Sequence, residues 1–176
     1  IRVSQTAGKS LKRVIDDVLD MARIEAGGVE IKPNWFISTA LIDEVVSLFT
    51  HDARQAETSI EANIDPDVPR WLYGDTGRIK QVLFNLMSNA IKFTEHGKVT
   101  VSLQCLEADN TFRFTVTDTG IGISKAIGDN VFEAFSQVDS SLVRKQQGSG
   151  LGLAISKHLV FAMKGKINYQ SKPNEG

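Results

Sequence analysis

Features that cross-link, anchor or strongly charge a protein are scarce in this sequence. Its 176 residues include one cysteine, Cys105, which excludes an internal disulfide and a zinc site built from several cysteines. Because Cys105 lies in an alternating stretch, we interpret it as a small core residue in a reducing compartment. No apolar run approaches the ~20 residues of a membrane span, and no secretory signal peptide opens the chain.

Charge is nearly balanced, with 20 basic against 21 acidic residues and a net charge of −1. This balance offers no general electrostatic reason to expect an anionic partner, so we predict that the chain binds no nucleic acid. The 41% hydrophobic fraction is ordinary for a globular domain with a sizeable core. Since the chain begins at Ile1 without Met and ends in SKPNEG, we expect it to be a piece of a longer protein.

Apolar periodicity predicts one long helix over residues 1–26 and an α+β domain over residues 27–176. The apolar seam of the helix suits packing on another helix as well as on its own domain. The predicted elements that follow are a short strand and turn in VEIKPNWF, a helix from Ser38 to Glu57, a strand in SIEANI, a helix capped by Asp75 and running to Phe93, strands over 99–105 and 112–117, a helix over 151–164 and a strand over 165–171. This order predicts a two-layer α/β sandwich, with a mixed or antiparallel sheet and helices on one face.

The stretch NLMSNAIKF, residues 85–93, places polar side chains on one face of a predicted helix. Asn85, Asn89 and Lys92 stand at i, i+4 and i+7, whereas Leu86, Ala90 and Phe93 occupy another face that suits burial. An Asn oxygen can bind Mg²⁺, and a Lys one turn away can neutralise phosphate charge. One Asn on an exposed helical face is common, but two with a Lys are not.

The stretch VTDTGIGI ends the second predicted strand of a hairpin. Asp118 has the parity of Phe114 and Val116, so its carboxylate is expected on the covered side of the sheet, where it needs hydrogen-bond donors. Gly120 and Gly122 let backbone approach a ligand closely. An adenine pocket and an ordinary turn with two glycines explain this motif equally well.

A second glycine cluster, GSGLGL at residues 148–153, opens a predicted helix whose free N–H groups can hold phosphate. A Rossmann loop is the obvious rival. It requires G-x-G-x-x-G directly after a strand and an acidic residue about twenty positions later, and neither is present. No Walker A motif occurs either.

Together these segments carry a resemblance to a known family. NLMSNAIKF, DTGIGI, VFEAF and GSGLGLAIS closely resemble, in order and spacing, the N, G1, F and G2 boxes of sensor histidine kinases, and residues 74–97 are similar to the hybrid type. These kinases share the GHKL ATPase fold with gyrase, MutL-type ATPases and heat-shock-90 chaperones. The resemblance covers about residues 27–176, and residues 11–27 resemble the second helix of the kinases' dimerisation hairpin.

The resemblance implies a role for each motif in binding Mg-ATP. Asn89 would be the Mg²⁺ ligand, and Asn85 and Lys92 would be the catalytic residues at the phosphates. Asp118 would bind the adenine amine in a pocket shaped by Gly120 and Gly122. The remaining implied ATP-binding residues anchor a lid or contact the phosphates: Phe132, Phe135, Gly148, Ser149, Gly150, Leu151 and Gly152.

The resemblance also implies a phosphotransfer reaction. Relatives that hydrolyse ATP carry Glu at the position of Asn85, which cannot act as a general base near pH 7, so little hydrolysis is expected. None of His51, His96 and His158 fits the family's phosphoacceptor motif, so the acceptor is expected in a hairpin upstream of Ile1. Phosphate would then pass to a response-regulator receiver domain, in the cytoplasmic part of a larger, often membrane-anchored sensor.

Three hypotheses about function remain open at this point, and so does the oligomeric state of this piece of the chain. A homodimer is expected of the full protein, with a monomer as the alternative for this piece alone. Besides the histidine kinase, the alternatives are a GHKL-type ATPase or ATP-driven conformational switch, and a signalling module that only dimerises and docks partners.

Overall fold

The computed structural model describes residues 15, 18–22, 27–106, 111–124, 128, 130–134 and 150–176. The chain divides into two compact units, Ile31–Lys125 with Asn168–Gly176 and Ile1–Glu30 with Ala126–Ile167. None of the described helices combines the length and the apolar composition needed to cross a membrane.

The first unit contains five strands and two helices among the described residues. In chain order these are β1 (Asn34–Ile37), α1 (Ser38–Gln55), β2 (Ser59–Ile64), β3 (Trp71–Gly74), α2 (Thr76–Lys92), β4 (Lys98–Leu106) and β5 (Thr111–Asp118). The second unit contains helix α3 (Gly152–Ala162). Of the long helix predicted over residues 1–26, Ile15 and residues 18–22 are described and are helical, and the rest lies outside the described residues.

Strands β2, β4 and β5 form a three-stranded sheet in that order. The central strand β4 pairs parallel with β2 and antiparallel with β5, and the β4–β5 register sets Val99 opposite Asp118. The sheet is therefore mixed, which confirms one of the two arrangements that the sequence predicts, a mixed or an antiparallel sheet.

One face of this sheet is covered by α1 and α2, and the core lies between them. Val99, Val101 and Leu103 on β4 have no exposed surface. The helices bury complementary apolar faces, Leu41, Ile42, Val45, Phe49 and Ala53 on α1 and Leu83, Met87, Ala90 and Ile91 on α2. On the opposite face of the sheet Arg113 and Thr117 are exposed, so the first unit is a two-layer α/β sandwich, as predicted.

A second sheet, the antiparallel pair β1–β3, was not expected. Its register sets Trp35 opposite Tyr73 on an exposed face, with ring centroids 5.2 Å apart, while Phe36 and Leu72 face the core. Strand β3 follows a loop and leads directly into Asp75 and α2. Four residues carry too short an alternation to predict a strand without knowledge of its partner.

One further prediction is wrong and another holds in part. Residues 165–171 form no strand, because no strand in the described part of the chain pairs with them. Of the face predicted to suit burial, Ala90 is buried, whereas Leu86 on α2 and Phe93, which directly follows α2, are half-buried. An apolar side chain beside the polar stripe therefore stays at the edge of the core.

Candidate functional site

Helix α2 is fixed at its start by a buried carboxylate. Asp75, 8% exposed, is its N-cap and accepts a hydrogen bond from the backbone N–H of Arg78 at 3.0 Å. Its second oxygen accepts from the backbone N–H of Lys32 at 2.8 Å. The cap predicted from the sequence thus also ties the helix to the chain that leads into β1.

The polar stripe predicted on α2 lies on the side away from the core. Asn85, Asn89 and Lys92 are each partly exposed. The Lys92 ammonium lies 4.8 Å from the centroid of the Phe93 ring. Among the hydrogen bonds between described residues, none involves the side-chain amide of Asn89.

Asp118 ends β5 on the helix-covered side of the sheet, as its position in the strand predicts. It is half-buried, and Phe112, Phe114 and Val116, which share its parity, pack against the core. Oδ1 accepts a hydrogen bond from the backbone N–H of Gly120 at 2.9 Å. No hydrogen bond to Oδ2 is present among the described residues. A carboxylate oriented in this way presents one acceptor oxygen to a ligand.

Residues 119–123, which we call the glycine turn, contact the end of α2. A Cβ built on Gly120 would lie 2.2 Å from the carbonyl oxygen of Phe93, so only glycine fits there without displacement. The same oxygen accepts from the backbone N–H of Ile121 at 3.2 Å. Since Phe93 directly follows Lys92, this contact joins the Asp118 end of β5 to the end of α2 that carries the polar stripe.

Residues 171–176, which we call the 171–176 loop, lie against the other half of the glycine turn. Gly122 has φ +65°, and a Cβ on it would lie 2.1 Å from the carbonyl oxygen of Lys172. The side chain of Ser171 accepts from the N–H of Ile123 at 2.7 Å. The sequence did not predict this contact. It favoured a strand over residues 165–171, and no local signal links Ser171 to a turn 48 residues away.

The second unit carries the other candidate residues that the structure describes. Phe132 is half-buried in a turn at 130–134, which an ion pair at 3.4 Å between Glu133 and Lys157 ties to α3. Gly150 has φ +70°, and buried Leu151 and then Gly152 lead into α3. Phe135, Gly148 and Ser149 lie outside the described residues.

No three His, Cys, Asp or Glu side chains within the described ranges come together as a metal site. Among the predicted site residues, the side-chain oxygens that could bind a metal ion are those of the Asn85 and Asn89 amides and the Asp118 carboxylate. They suit a hard cation that takes most of its ligands from phosphate and water.

Comparison with known proteins gives the same family from sequence and from structure. The family model described as histidine kinase-, DNA gyrase B- and HSP90-like ATPase matches residues 74–176. The signal transduction histidine-protein kinase BarA of Escherichia coli strain K12 is 37% identical over 175 residues, which cover 98% of this chain and 19% of that protein. This chain thus spans about a fifth of the length of BarA.

Two solved structures share the fold. Full-length ShkA in complex with AMPPNP superposes with a TM-score of 0.80 and 32% identity, covering 94% of this chain and 35% of that one. The histidine kinase ThkA, in complex with the response regulator protein TrrA, gives a TM-score of 0.68 and 23% identity over 94% of this chain and 44% of that one. The second likeness, at that identity, shows the fold alone.

The family match covers more than half of the chain and includes the α2 stripe, the glycine turn and the start of α3. The chain therefore belongs to the family of histidine kinase-, DNA gyrase B- and HSP90-like ATPases, and the relatives named above are histidine kinases.

Proposed function

We propose that this domain binds Mg-ATP between Asp118 and the α2 stripe and donates the γ-phosphate to a histidine in an upstream hairpin of the same kinase. The observation that carries the proposal is the contact of Gly120 and Ile121 with the Phe93 carbonyl. This contact joins the Asp118 carboxylate, whose Oδ2 accepts no hydrogen bond from the described residues, to the end of α2 that carries the two amides and the amine.

The adenine end of the proposed site is the Asp118 carboxylate with the glycine turn. The exocyclic amine of adenine is a donor, and Oδ2 of Asp118 is an acceptor with no partner among the described residues. Oδ1 is occupied by the Gly120 N–H at 2.9 Å, which fixes the orientation of the carboxylate. Guanine carries an oxygen at the corresponding ring position, so an acceptor here favours adenine.

The phosphate end of the proposed site is the stripe on α2. Asn89 fits a Mg²⁺ ligand because its amide is partly exposed and makes no hydrogen bond to the described part of the chain. The metal would offset phosphate charge, with its remaining positions filled by phosphate oxygens and water. Asn85 would support that arrangement, and the Lys92 ammonium would contact phosphate directly.

Transfer to protein, and not to water, is favoured by the chemistry of position 85. An uncharged amide takes no proton from water near pH 7, so the site has no general base at this position. Phosphoryl transfer otherwise depends on positioning and charge neutralisation, which the stripe supplies. We further propose that Phe132 and Phe135 anchor a lid, and that residues 148–152, including Gly148, Ser149, Gly150, Leu151 and Gly152, bind the phosphates.

The partners of the whole kinase follow from the same proposal. The phosphate would pass from the hairpin histidine to a response-regulator receiver domain, consistent with the complex of ThkA with a response regulator protein. Residues 1–26 would form the second helix of the hairpin and residues 27–176 the catalytic domain. We propose a homodimer for the full protein and a cytoplasmic location for this domain.

The test uses the domain joined to the hairpin that carries the acceptor histidine, incubated with Mg²⁺ and γ-labelled ATP. Label on protein and free phosphate are measured in the same tube, beside Asn89→Ala and a matched Asn63→Ala control on exposed β2. We expect acid-labile, base-stable label on protein and little free phosphate, with label lost in Asn89→Ala and kept in the control. Free phosphate without protein label would make water the acceptor and overturn the proposal.

A further inference from the structure

The glycine turn is held from two sides, and one of them is the 171–176 loop. On the first side, Thr119 exchanges hydrogen bonds with Lys98, its N–H donating to the Lys98 carbonyl at 3.1 Å and its Oγ1 accepting from the Lys98 N–H at 3.0 Å. The Ile121 N–H donates to Phe93 at 3.2 Å. These bonds attach the start of the turn to β4 and α2.

The second side of the turn is attached to the 171–176 loop by two hydrogen bonds. The backbone N–H of Asn174 donates to the Ile121 carbonyl at 2.8 Å. The Ile123 N–H donates to Oγ of Ser171 at 2.7 Å. Of these two bonds, the one to Ser171 alone uses a side chain, so a substitution can remove it without changing the backbone.

The hydroxyl of Ser171 has a defined orientation. It donates to the carbonyl oxygen of Gly176 at 2.9 Å, which leaves its lone pairs for the Ile123 N–H. A hydroxyl that donates on one side and accepts on the other forms a short chain of hydrogen bonds whose members strengthen one another. Its partners therefore determine where the Ile123 end of the turn lies.

We propose that Ser171 is a positioning residue for nucleotide binding, which acts by fixing the glycine turn that orients Asp118. This inference rests on the proposed binding of adenine by Asp118. Gly122 connects Ile123 to the first half of the turn, and a Cβ on it would lie 2.1 Å from the Lys172 carbonyl oxygen, so its backbone packs closely against the 171–176 loop. Gly120, two residues earlier, donates the hydrogen bond that holds Oδ1 of Asp118. Movement at Ile123 thus releases the carboxylate orientation.

The test compares Ser171→Ala with Ser171→Thr, which keeps the hydroxyl, and with Ser47→Ala. Ser47 is a matched control because its exposed hydroxyl donates only to the Glu44 carbonyl within α1. Dissociation constants for ATP and ADP are measured by calorimetry, amide exchange at Ile123 by NMR, and global stability by urea unfolding. Asp118→Ala is measured in parallel.

We expect Ser171→Ala to raise the Kd of ATP and of ADP by the same factor, about three- to tenfold, as loss of one hydrogen bond predicts. The factor is shared because the effect lies at the adenine end. Exchange of the Ile123 amide should accelerate, and Ser171→Thr should restore both quantities to within about twofold. Should Ser171→Ala not fold, Ser171→Cys replaces the hydroxyl by a weakly bonding thiol of similar size and is expected to show the same shared loss.

Three results would overturn the inference: an unchanged Kd in Ser171→Ala, an equal loss in Ser171→Thr, or a loss confined to ATP. Unchanged nucleotide affinity in Asp118→Ala would instead refute the proposed adenine site itself. The two failures are therefore distinguishable.

Discussion

Substitution of Gly120 by alanine tests whether the contact between the glycine turn and α2 shapes the nucleotide site. A Cβ at this position would lie 2.2 Å from the Phe93 carbonyl oxygen and 2.9 Å from Oδ1 of Asp118. Contacts of real Cβ atoms essentially never fall below 3.0 Å, so the turn must move from α2 by about 0.8 Å. Both obstructing groups belong to the proposed site or its support.

That displacement lengthens two hydrogen bonds, Ile121 N–H to Phe93 and Gly120 N–H to Asp118, which stand at 3.2 and 2.9 Å. At about 1 kcal/mol each, their loss amounts to about 2 kcal/mol, or about a thirtyfold rise in the Kd of ATP. We expect the same factor for ADP, since the change lies at the adenine end.

Gly77→Ala is the matched control because Gly77 is exposed in the first turn of α2 and a Cβ there meets nothing closer than 3.3 Å. It should leave nucleotide affinity unchanged. The free energy of unfolding should change by less than about 1 kcal/mol, because the gain in helix propensity is opposed by the contact of the new Cβ with Oδ1 of Asp75 at 3.3 Å. Calorimetric titration and urea unfolding of both variants provide the measurement. Wild-type affinity in a folded Gly120→Ala variant would refute the reasoning.

Three further substitutions test the proposed Mg²⁺ ligand, the recognition of adenine and the stability of α2. Asn89→Ala should abolish the Mg²⁺ dependence of ATP binding, whereas Asn63→Ala should keep it. Both variants are titrated with ATP in the presence and absence of Mg²⁺, and the same Mg²⁺ dependence in the two would contradict the prediction. Asp118→Asn should weaken ATP binding by about tenfold and reduce the preference for ATP over GTP, because an amide adds a donor where adenine needs an acceptor. Competition between ATP and GTP measures the ratio of their dissociation constants. Asp75→Ala should lower the free energy of unfolding by about 2 kcal/mol, because it removes the α2 cap and the hydrogen bond from Lys32. Asp75→Asn should retain most of the wild-type stability. Equal urea midpoints for the two variants would argue against the cap.

The two helices and the hairpin of the first unit were predictable because their signals are local. The spacing of Leu41, Val45 and Phe49 describes an apolar helical face whatever it packs against. Alternation through Val99, Val101 and Leu103 likewise specifies which side of β4 is buried before its neighbours are known. The N-cap at Asp75 and the orientation of Asp118 follow from the same short-range rules.

The pairing of short elements and the joining of the site were decided by tertiary contacts. A four-residue strand such as β3 exists because β1 lies beside it, and residues 165–171 form no strand because no partner among the described residues pairs with them. Gly120 is required by the Phe93 carbonyl, and Ser171 bonds Ile123 across 48 residues of chain. The amino-acid pattern alone determined the longer helices and strands and the chemical groups of the site, since helix and strand periodicities act over a few residues. Tertiary structure decided how those groups are held, because a hydrogen bond or a close approach between distant residues exists only after the chain has folded.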